Sequence, residues 1–93
     1  MARHLMAWRF VYNKKGRAVR GYASVGVPRM DKAGLDWEVP VDCDILPRPV
    51  AMPGVTRKGS VELAKSFLRK TYAGLNLKKE DGGSFAWDLP PGP

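Results

Sequence analysis

Asp42 and Asp44 are the two residues of this 93-residue sequence whose spacing best suits chemistry. On a strand they would lie on one face, about 6.5–7 Å apart, as in a paired-carboxylate or magnesium site. Such a site needs a base or a phosphate-cradling glycine loop beside it, and the sequence supplies neither. The single histidine, His4, and the single cysteine, Cys43, both fall on the inward faces of predicted strands. We therefore expect no enzyme, no metal and no cofactor, and a small hydrolase built on the two aspartates is the least favoured hypothesis.

Cations next to aromatic rings are the second chemical signal. Arg9 lies between Trp8 and Phe10, and Arg20 lies two positions before Tyr22. Sheets that bind single strands stack bases on exposed rings, but strand alternation turns Trp8 and Phe10 inward. Tyr22 alone remains on the wet face, so we expect contacts mainly to phosphates and not to bases. The candidate contact residues for nucleic acid or a partner protein are Arg9, Lys14, Lys15, Arg17, Arg20, Tyr22, Arg57 and Lys58.

The formal net charge is +7, and charges of one sign occur in blocks. Residues 1–30 carry seven cations and no carboxylate, whereas residues 31–44 carry five carboxylates and one cation. Residues 45–79 are basic again, and 80–93 add three carboxylates. A net basic surface attracts nucleic acid or acidic protein surfaces. The alternative is that the blocks neutralise one another, with Arg20 paired to the carboxylates of 36–44, and each cation is then an ordinary solvated charge.

The segment 36–45 organises the fold, because its apolar residues occupy every second position, with carboxylates and Pro40 between them. Only a strand separates those two sets onto two faces. Pro40 has no amide hydrogen, which predicts an edge strand, or one that is unpaired at its middle on one side. We expect a wet acidic face and a buried face formed by Trp37, Val39, Val41, Cys43 and Ile45.

Residues 4–27 predict a β-hairpin. Its strands alternate on both sides of Asn13–Gly16, a polar segment typical of a tight turn. We expect Trp8 to lie opposite Gly21, so that the large indole ring crosses a residue without a side chain. A slip by one residue would place a charged side chain under that ring, which favours this register.

The outer face of the hairpin combines apolar residues with cations. In the predicted register Arg9 lies opposite Arg20, and the two repel unless an anion lies between them. One helix covers one face of a sheet, so this second face would be left partly uncovered. Phe85 and Trp87 are further apolar residues that the predicted core does not require. Such patches commonly mark an interface, and we therefore expect a homodimer. The apolar members of the outer face are Leu5, Ala7, Val11 and Tyr22.

The remaining segments predict a crossover and one helix. Three prolines within 46–59 predict an extended connector that cannot join a central sheet. An apolar stripe predicts a helix over 60–73, with Ser60 as its N-cap and Gly74 as its stop. Residues 84–89 alternate once more, which suits a short last strand or an apolar tail laid on the core.

Together these elements predict one α+β domain over residues 1–93: an antiparallel meander of three to four strands with one helix packed across one face. One cysteine excludes an internal disulfide, and no apolar run approaches the roughly 18 residues of a membrane span. Arg9 interrupts any signal-peptide core. We therefore expect a soluble, cytoplasmic protein that does not bind membranes.

The favoured function is that of a small non-enzymatic basic binding module, which contacts nucleic acid or a nucleoprotein complex through phosphate-directed lysines and arginines. The alternative is a protein-interaction or inhibitor module that docks on an acidic or apolar partner surface. In size and layout the chain resembles the small accessory proteins carried by phages and mobile gene cassettes. That resemblance rests on no motif and transfers no site residues.

Overall fold

A five-stranded antiparallel sheet with one helix packed on it forms the α+β fold that the sequence predicts. The computed structural model describes residues 4–34 and 36–87. The elements are β1 (His4–Lys14), β2 (Arg17–Gly26), β3 (Arg29–Met30), β4 (Trp37–Cys43), β5 (Val50–Gly54) and α1 (Arg57–Thr71). β1 pairs with β2, and β2 pairs with one edge of β4. β3 pairs with the same edge of β4 farther along, and β5 pairs with the other edge.

The acidic strand β4 lies inside the sheet and not at its edge. β2 and β3 follow one another along the same edge of β4, and residues 26–28 of that side face Val39 and Pro40 without ladder pairs. A Cβ on Gly26 would lie 2.4 Å from Cγ of Pro40, so the chain needs a glycine where it passes the proline ring. The prediction of an edge strand is therefore wrong, while a strand unpaired at its middle on one side is confirmed.

The hairpin turn has two residues, Lys15 and Gly16, whose φ angles of 51° and 80° are both positive. This is the type I′ pattern, whose twist matches that of the two strands. The predicted four-residue turn is thus wrong, and the cross-strand pairs from Met6 to Tyr12 each move by two residues, while a bulge interrupts the register between His4 and Met6. A shift of two leaves each side chain on its predicted face. Phe10 and not Trp8 lies opposite Gly21, and Arg9 lies opposite Tyr22 and not Arg20.

Gly21 is required by the rings that lie across it. A Cβ at this position would approach Cε1 of Phe10 to 2.6 Å and Cε1 of Tyr12 to 2.8 Å. Such distances are far shorter than an ordinary van der Waals contact, so a side chain here would displace both rings. The large-against-small pairing that the sequence predicts for Trp8 is therefore made by Phe10.

Two different segments cover the inner face of the sheet. Helix α1 lies on β4 and β5, while Phe85 and Trp87 from the C-terminal segment pack on the hairpin. Phe10 is central, because its ring centroid lies 4.9 Å from that of Tyr72, 5.2 Å from Phe85 and 5.7 Å from Trp87. Phe85 and Trp87 are thus part of the core and not left over. The buried hydrophobic residues are Trp8, Phe10, Tyr12, Ala23, Val25, Val39, Val41, Cys43, Ala64, Leu68 and Tyr72.

Helix α1 begins at Arg57, three residues before the predicted start. Oγ1 of Thr56 accepts a hydrogen bond from the amide of Gly59 at 2.8 Å, which makes Thr56 the N-cap. Ser60, the predicted cap, is fully buried inside the helix, where its hydroxyl donates to the carbonyl of Arg57. The predicted apolar stripe is confirmed, since Ala64, Leu68 and Tyr72 are buried. Gly74 has the expected positive φ, 85°.

The segments beside the helix differ from their predictions at three points. Residues 50–54 of the proline-rich connector form β5, where Pro53 is tolerated because the outer side of an edge strand needs no amide donor. Ile45 is exposed, because β4 ends at Cys43 and the alternation ends with it. The described part of 84–89 is no regular strand: Ser84 pairs with Lys78 through an isolated bridge. Residues 88 and 89 of that prediction lie outside the described residues.

Candidate functional site

The hairpin tip, residues 13–20, extends beyond the body of the molecule. On the β1 side the last backbone partner is Lys78, whose amide and carbonyl pair with Val11 at 2.9 and 2.7 Å. On the β2 side it is Asp44, whose amide donates to the carbonyl of Tyr22 at 3.1 Å. Past these two points neither edge of the ribbon has a strand partner among the described residues. The molecule is elongated, with extents of 45 × 26 × 25 Å.

The hairpin tip carries four cations and no carboxylate. Lys14 and Arg17 pair across the two strands and continue the inner face, whereas Arg20 continues the outer face. Lys15 occupies the turn itself, and all four residues are exposed. The structure therefore brings together four of the predicted contact residues, at the point farthest from the core.

Arg9 and Tyr22 lie directly opposite each other on the outer face of the hairpin, with Arg20 on the same face. Tyr22 is 45% exposed and is the aromatic residue that this face offers. The Asp42 carboxylate, followed by burial of the ring, raises the pKa of the Tyr22 hydroxyl above its usual value. A ring beside a carboxylate is a poor platform for a nucleotide, because the carboxylate repels the phosphate that accompanies each base.

Arg57 and Lys58 do not join this site. The Arg57 guanidinium lies 5.2 Å from the ring centroid of Trp37, in a cation–π contact at the far end of β4. Thirteen strand positions separate that end from the turn, six along β4 and seven along β2, which is on the order of 40 Å. The structure therefore does not bring Arg57 and Lys58 together with the cations of the hairpin tip.

The acidic strand does not neutralise the hairpin tip. Nε of Arg29 lies 2.9 Å from Oε1 of Glu38, in an ion pair at the end of β4 that is remote from the tip. Arg20 is exposed, and within the described ranges it forms no salt bridge. The predicted pairing of Arg20 with the carboxylates of β4 is therefore wrong, and Arg29 takes that role.

The Asp44 side chain does not lie on the acidic face of the sheet. It lies at the edge of the core, where its carboxylate accepts three hydrogen bonds. The hydroxyl of Tyr12 donates to its Oδ2 at 2.5 Å, the hydroxyl of Tyr72 donates to its Oδ1, and the amide of Tyr22 donates to Oδ1 at 3.2 Å. Burial, and then the hydrogen bond to Asp44, raise the pKa of Tyr12 to about 12. The same two causes raise the pKa of Tyr72.

Because both oxygens of Asp44 are occupied, this carboxylate joins β1, β2 and the end of α1 and does not form a pair with Asp42. The hydrolase hypothesis requires Asp42 and Asp44 to act as a pair, and Asp44 does not fill that role here. No group of three or more His, Cys, Asp or Glu side chains that could hold a metal ion occurs in the part of the chain that the structure describes. Cys43 is buried, as predicted. In residues 4–34 and 36–87 no helix has the length and apolarity that a membrane span requires.

Sequence reasoning missed Lys78 and Lys79 as neighbours of the hairpin. The isolated bridge between Val11 and Lys78 brings both lysines, which are exposed, to the β1 side of the tip. A turn containing Glu80 and Asp81 follows immediately, so this addition is partly neutralised. The bridge joins residues 67 positions apart, and no local pattern in the sequence predicts such a pairing.

Comparisons of the chain with protein-family models, with curated proteins and with solved structures found no match.

Proposed function

We propose that this protein is a small non-enzymatic module that binds nucleic acid, alone or in a nucleoprotein complex, through phosphate contacts made by the hairpin tip. The observation that supports this proposal is the concentration of Lys14, Lys15, Arg17 and Arg20 on a protruding ribbon of eight residues without a carboxylate. These cations are exposed and make no contribution to the core, so packing does not explain their clustering. Clustered cations displace the counterions of a polyanion, which drives binding without regard to sequence.

The salt dependence of binding tests this proposal. Four phosphate contacts give a slope of log affinity against log salt of about three, since each contact contributes roughly 0.7–0.9. Replacing Lys14, Lys15 and Arg17 together by glutamine should reduce that slope to about one, the contribution of Arg20. The fold should be retained, because all three residues are exposed and lie in or beside the turn.

Lys32→Gln combined with Lys58→Gln is the control, because both lysines are exposed and lie at the opposite end of the sheet. This variant lowers the net charge without touching the tip, so its slope should equal that of the parent. A shallow slope for the parent, or an unchanged slope for the triple variant, would contradict the proposal. Binding titrations of a fluorescent oligonucleotide between 50 and 300 mM salt provide the measurement.

A second candidate function is favoured by the uncovered outer face of the hairpin. Leu5 and Tyr22 are 49% and 45% exposed there, and Arg9 lies directly opposite Tyr22. A protein partner with an apolar centre and an acidic rim would fit this combination. A pull-down from nuclease-treated and untreated extracts separates the two candidates. Partners that persist after nuclease treatment and disappear with Leu5→Asp favour the protein partner, and partners lost with nuclease favour nucleic acid.

A further inference from the structure

The cations of the hairpin tip lie on both faces of the ribbon, and this arrangement points to the form of the ligand. Resting on the proposed function, we propose that the ligand is a B-form DNA duplex whose major groove the ribbon enters tip first. Lys14 and Arg17 lie on the side of the inner face, Arg20 on the outer face, and Lys15 at the leading end. A flat contact would use one face only, whereas a groove presents phosphates on both sides of an inserted element.

The dimensions of the ribbon agree with insertion. Two paired strands with their side chains measure about 10 Å across, and the major groove of B-DNA is about 12 Å wide and 8.5 Å deep. Two residue pairs, Lys14 with Arg17 and Asn13 with Ala18, extend about 7 Å back from the turn. Arg20 lies four residues behind Gly16, about 13 Å along the strand, so its backbone stays outside a groove about 8.5 Å deep and its long side chain extends toward the phosphates at the rim.

The other forms of nucleic acid fit less well. The major groove of an A-form RNA helix is too deep and narrow for side chains to enter. A single strand requires several exposed rings, whereas the described hairpin offers Tyr22 alone, about 20 Å from the turn and beside Asp42. The tip itself contains no aromatic residue. The substrate class is therefore duplex DNA, which the module contacts through phosphates without a requirement for one sequence.

The test measures fluorescence anisotropy with a DNA duplex of about two helical turns, its separated strands and an RNA duplex of the same sequence. The DNA duplex should bind most tightly. A duplex whose pyrimidines carry bulky groups at C5, which fill the major groove, should bind about 500-fold more weakly. This estimate assumes three lost phosphate contacts, each worth a factor of about eight at 0.1 M salt.

Two single substitutions compare the faces of the ribbon. Arg17→Gln on the inner side and Arg20→Gln on the outer side should each weaken duplex binding about eightfold at 0.1 M salt and lower the slope by about 0.9. Lys58→Gln, at the far end of the sheet, should leave both quantities unchanged. All three positions are exposed, and circular dichroism verifies that the variants fold.

The outcomes distinguish a failure of this inference from a failure of the proposed function. If none of the three nucleic acids binds in a salt-dependent manner, the proposed function is wrong and the inference with it. Salt-dependent binding that is equal for all three, or is unaffected by the bulky C5 groups, retains the proposed function and overturns the groove. A response to Arg20→Gln without a response to Arg17→Gln would replace insertion by a flat contact on the outer face.

Discussion

Asp44 shows how one residue can determine the packing of several elements. Its carboxylate accepts hydrogen bonds from the side chains of Tyr12 and Tyr72 and from the amide of Tyr22. The donors belong to β1, β2 and the C-cap of α1. Both tyrosines are buried, so their hydroxyl groups need an acceptor that water does not provide. The carboxylate is tolerated at the edge of the core because these donors replace its hydration.

Asp44→Ala should lower the free energy of unfolding by about 2–4 kcal/mol, because it leaves two buried hydroxyl groups without an acceptor. Asp44→Asn should cost less, since its amide retains one carbonyl oxygen. Asp42→Ala is the control two positions away, and it should change stability by no more than about 0.5 kcal/mol. Urea unfolding followed by tryptophan fluorescence provides the values. Equal losses for Asp42→Ala and Asp44→Ala would show that the tyrosine contacts do not stabilise the fold.

The sequence predicts the type of environment for most core residues but not for Asp44. Alternation correctly places Val39, Val41 and Cys43 in the core. It also places Asp44 on the wet face, because alternation holds only while the strand continues, and β4 ends at Cys43. A buried tyrosine is the signal that was available: Tyr12 and Tyr72 lie on predicted inward faces, and each requires an acceptor nearby.

At the scale of elements, the hairpin register depends on its turn more than on the pairing of large with small residues. Trp8 opposite Gly21 and Phe10 opposite Gly21 both satisfy that pairing rule, and they differ by two residues. The turn decides between them, because Lys15 adopts a positive φ that is uncommon for a residue with a side chain. Composition alone does not predict that choice.

Gly21→Ala tests the observed register. The added methyl group would overlap the rings of Phe10 and Tyr12, so we expect a loss of about 1–3 kcal/mol in the free energy of unfolding. Gly16→Ala is the matched control. Its Cβ would meet no atom within 4 Å, so this variant measures the cost of a positive φ alone. A smaller loss for Gly21→Ala than for Gly16→Ala would mean that the two rings do not lie over Gly21.

The other elements show where local signals compete. Thr56 and Ser60 are both good N-cap residues four positions apart, and the contact of β5 with the helix selects the first. A Cβ on Gly54 would lie 2.5 Å from the amide nitrogen of Ser60. The backbone of Ser60 therefore packs closely on β5 as part of the helix, and the helix begins before this contact. The N-cap preferences of the two residues do not predict this contact between β5 and the helix. The stripe of Ala64, Leu68 and Tyr72 was predictable because it repeats over several turns.

On the scale of the whole molecule, the two faces of the sheet differ sharply. The inner face is covered by α1 and by Phe85 and Trp87, whereas no described element covers the outer face of the hairpin. Its exposed residues are apolar at Leu5 and Tyr22 and cationic at Arg9 and Arg20. Association of two copies across this face would bury apolar area and would also bring like charges together.

We therefore expect a homodimer whose association strengthens as salt screens the arginines. Sedimentation at 50 and 500 mM salt measures this dependence. Arg9→Gln should strengthen the dimer at low salt, and Leu5→Asp should weaken it at both salt concentrations. A monomer at high micromolar concentration in 500 mM salt would contradict the prediction. Higher salt should strengthen the dimer but weaken DNA binding. One salt series therefore distinguishes association through the outer face from binding by the hairpin tip.

The division of the inner face between two segments has a consequence for protein synthesis. The hairpin strands leave the ribosome before the segments that cover them, and Phe85 and Trp87 follow about 60 residues after β2 ends. At usual elongation rates of about 5–20 residues per second, this interval lasts several seconds. Until then the sides of Trp8 and Phe10 that Phe85 and Trp87 cover remain accessible to chaperones, although Tyr72 is already available to pack on Phe10. The hairpin is therefore most prone to aggregation just before Phe85 and Trp87 emerge.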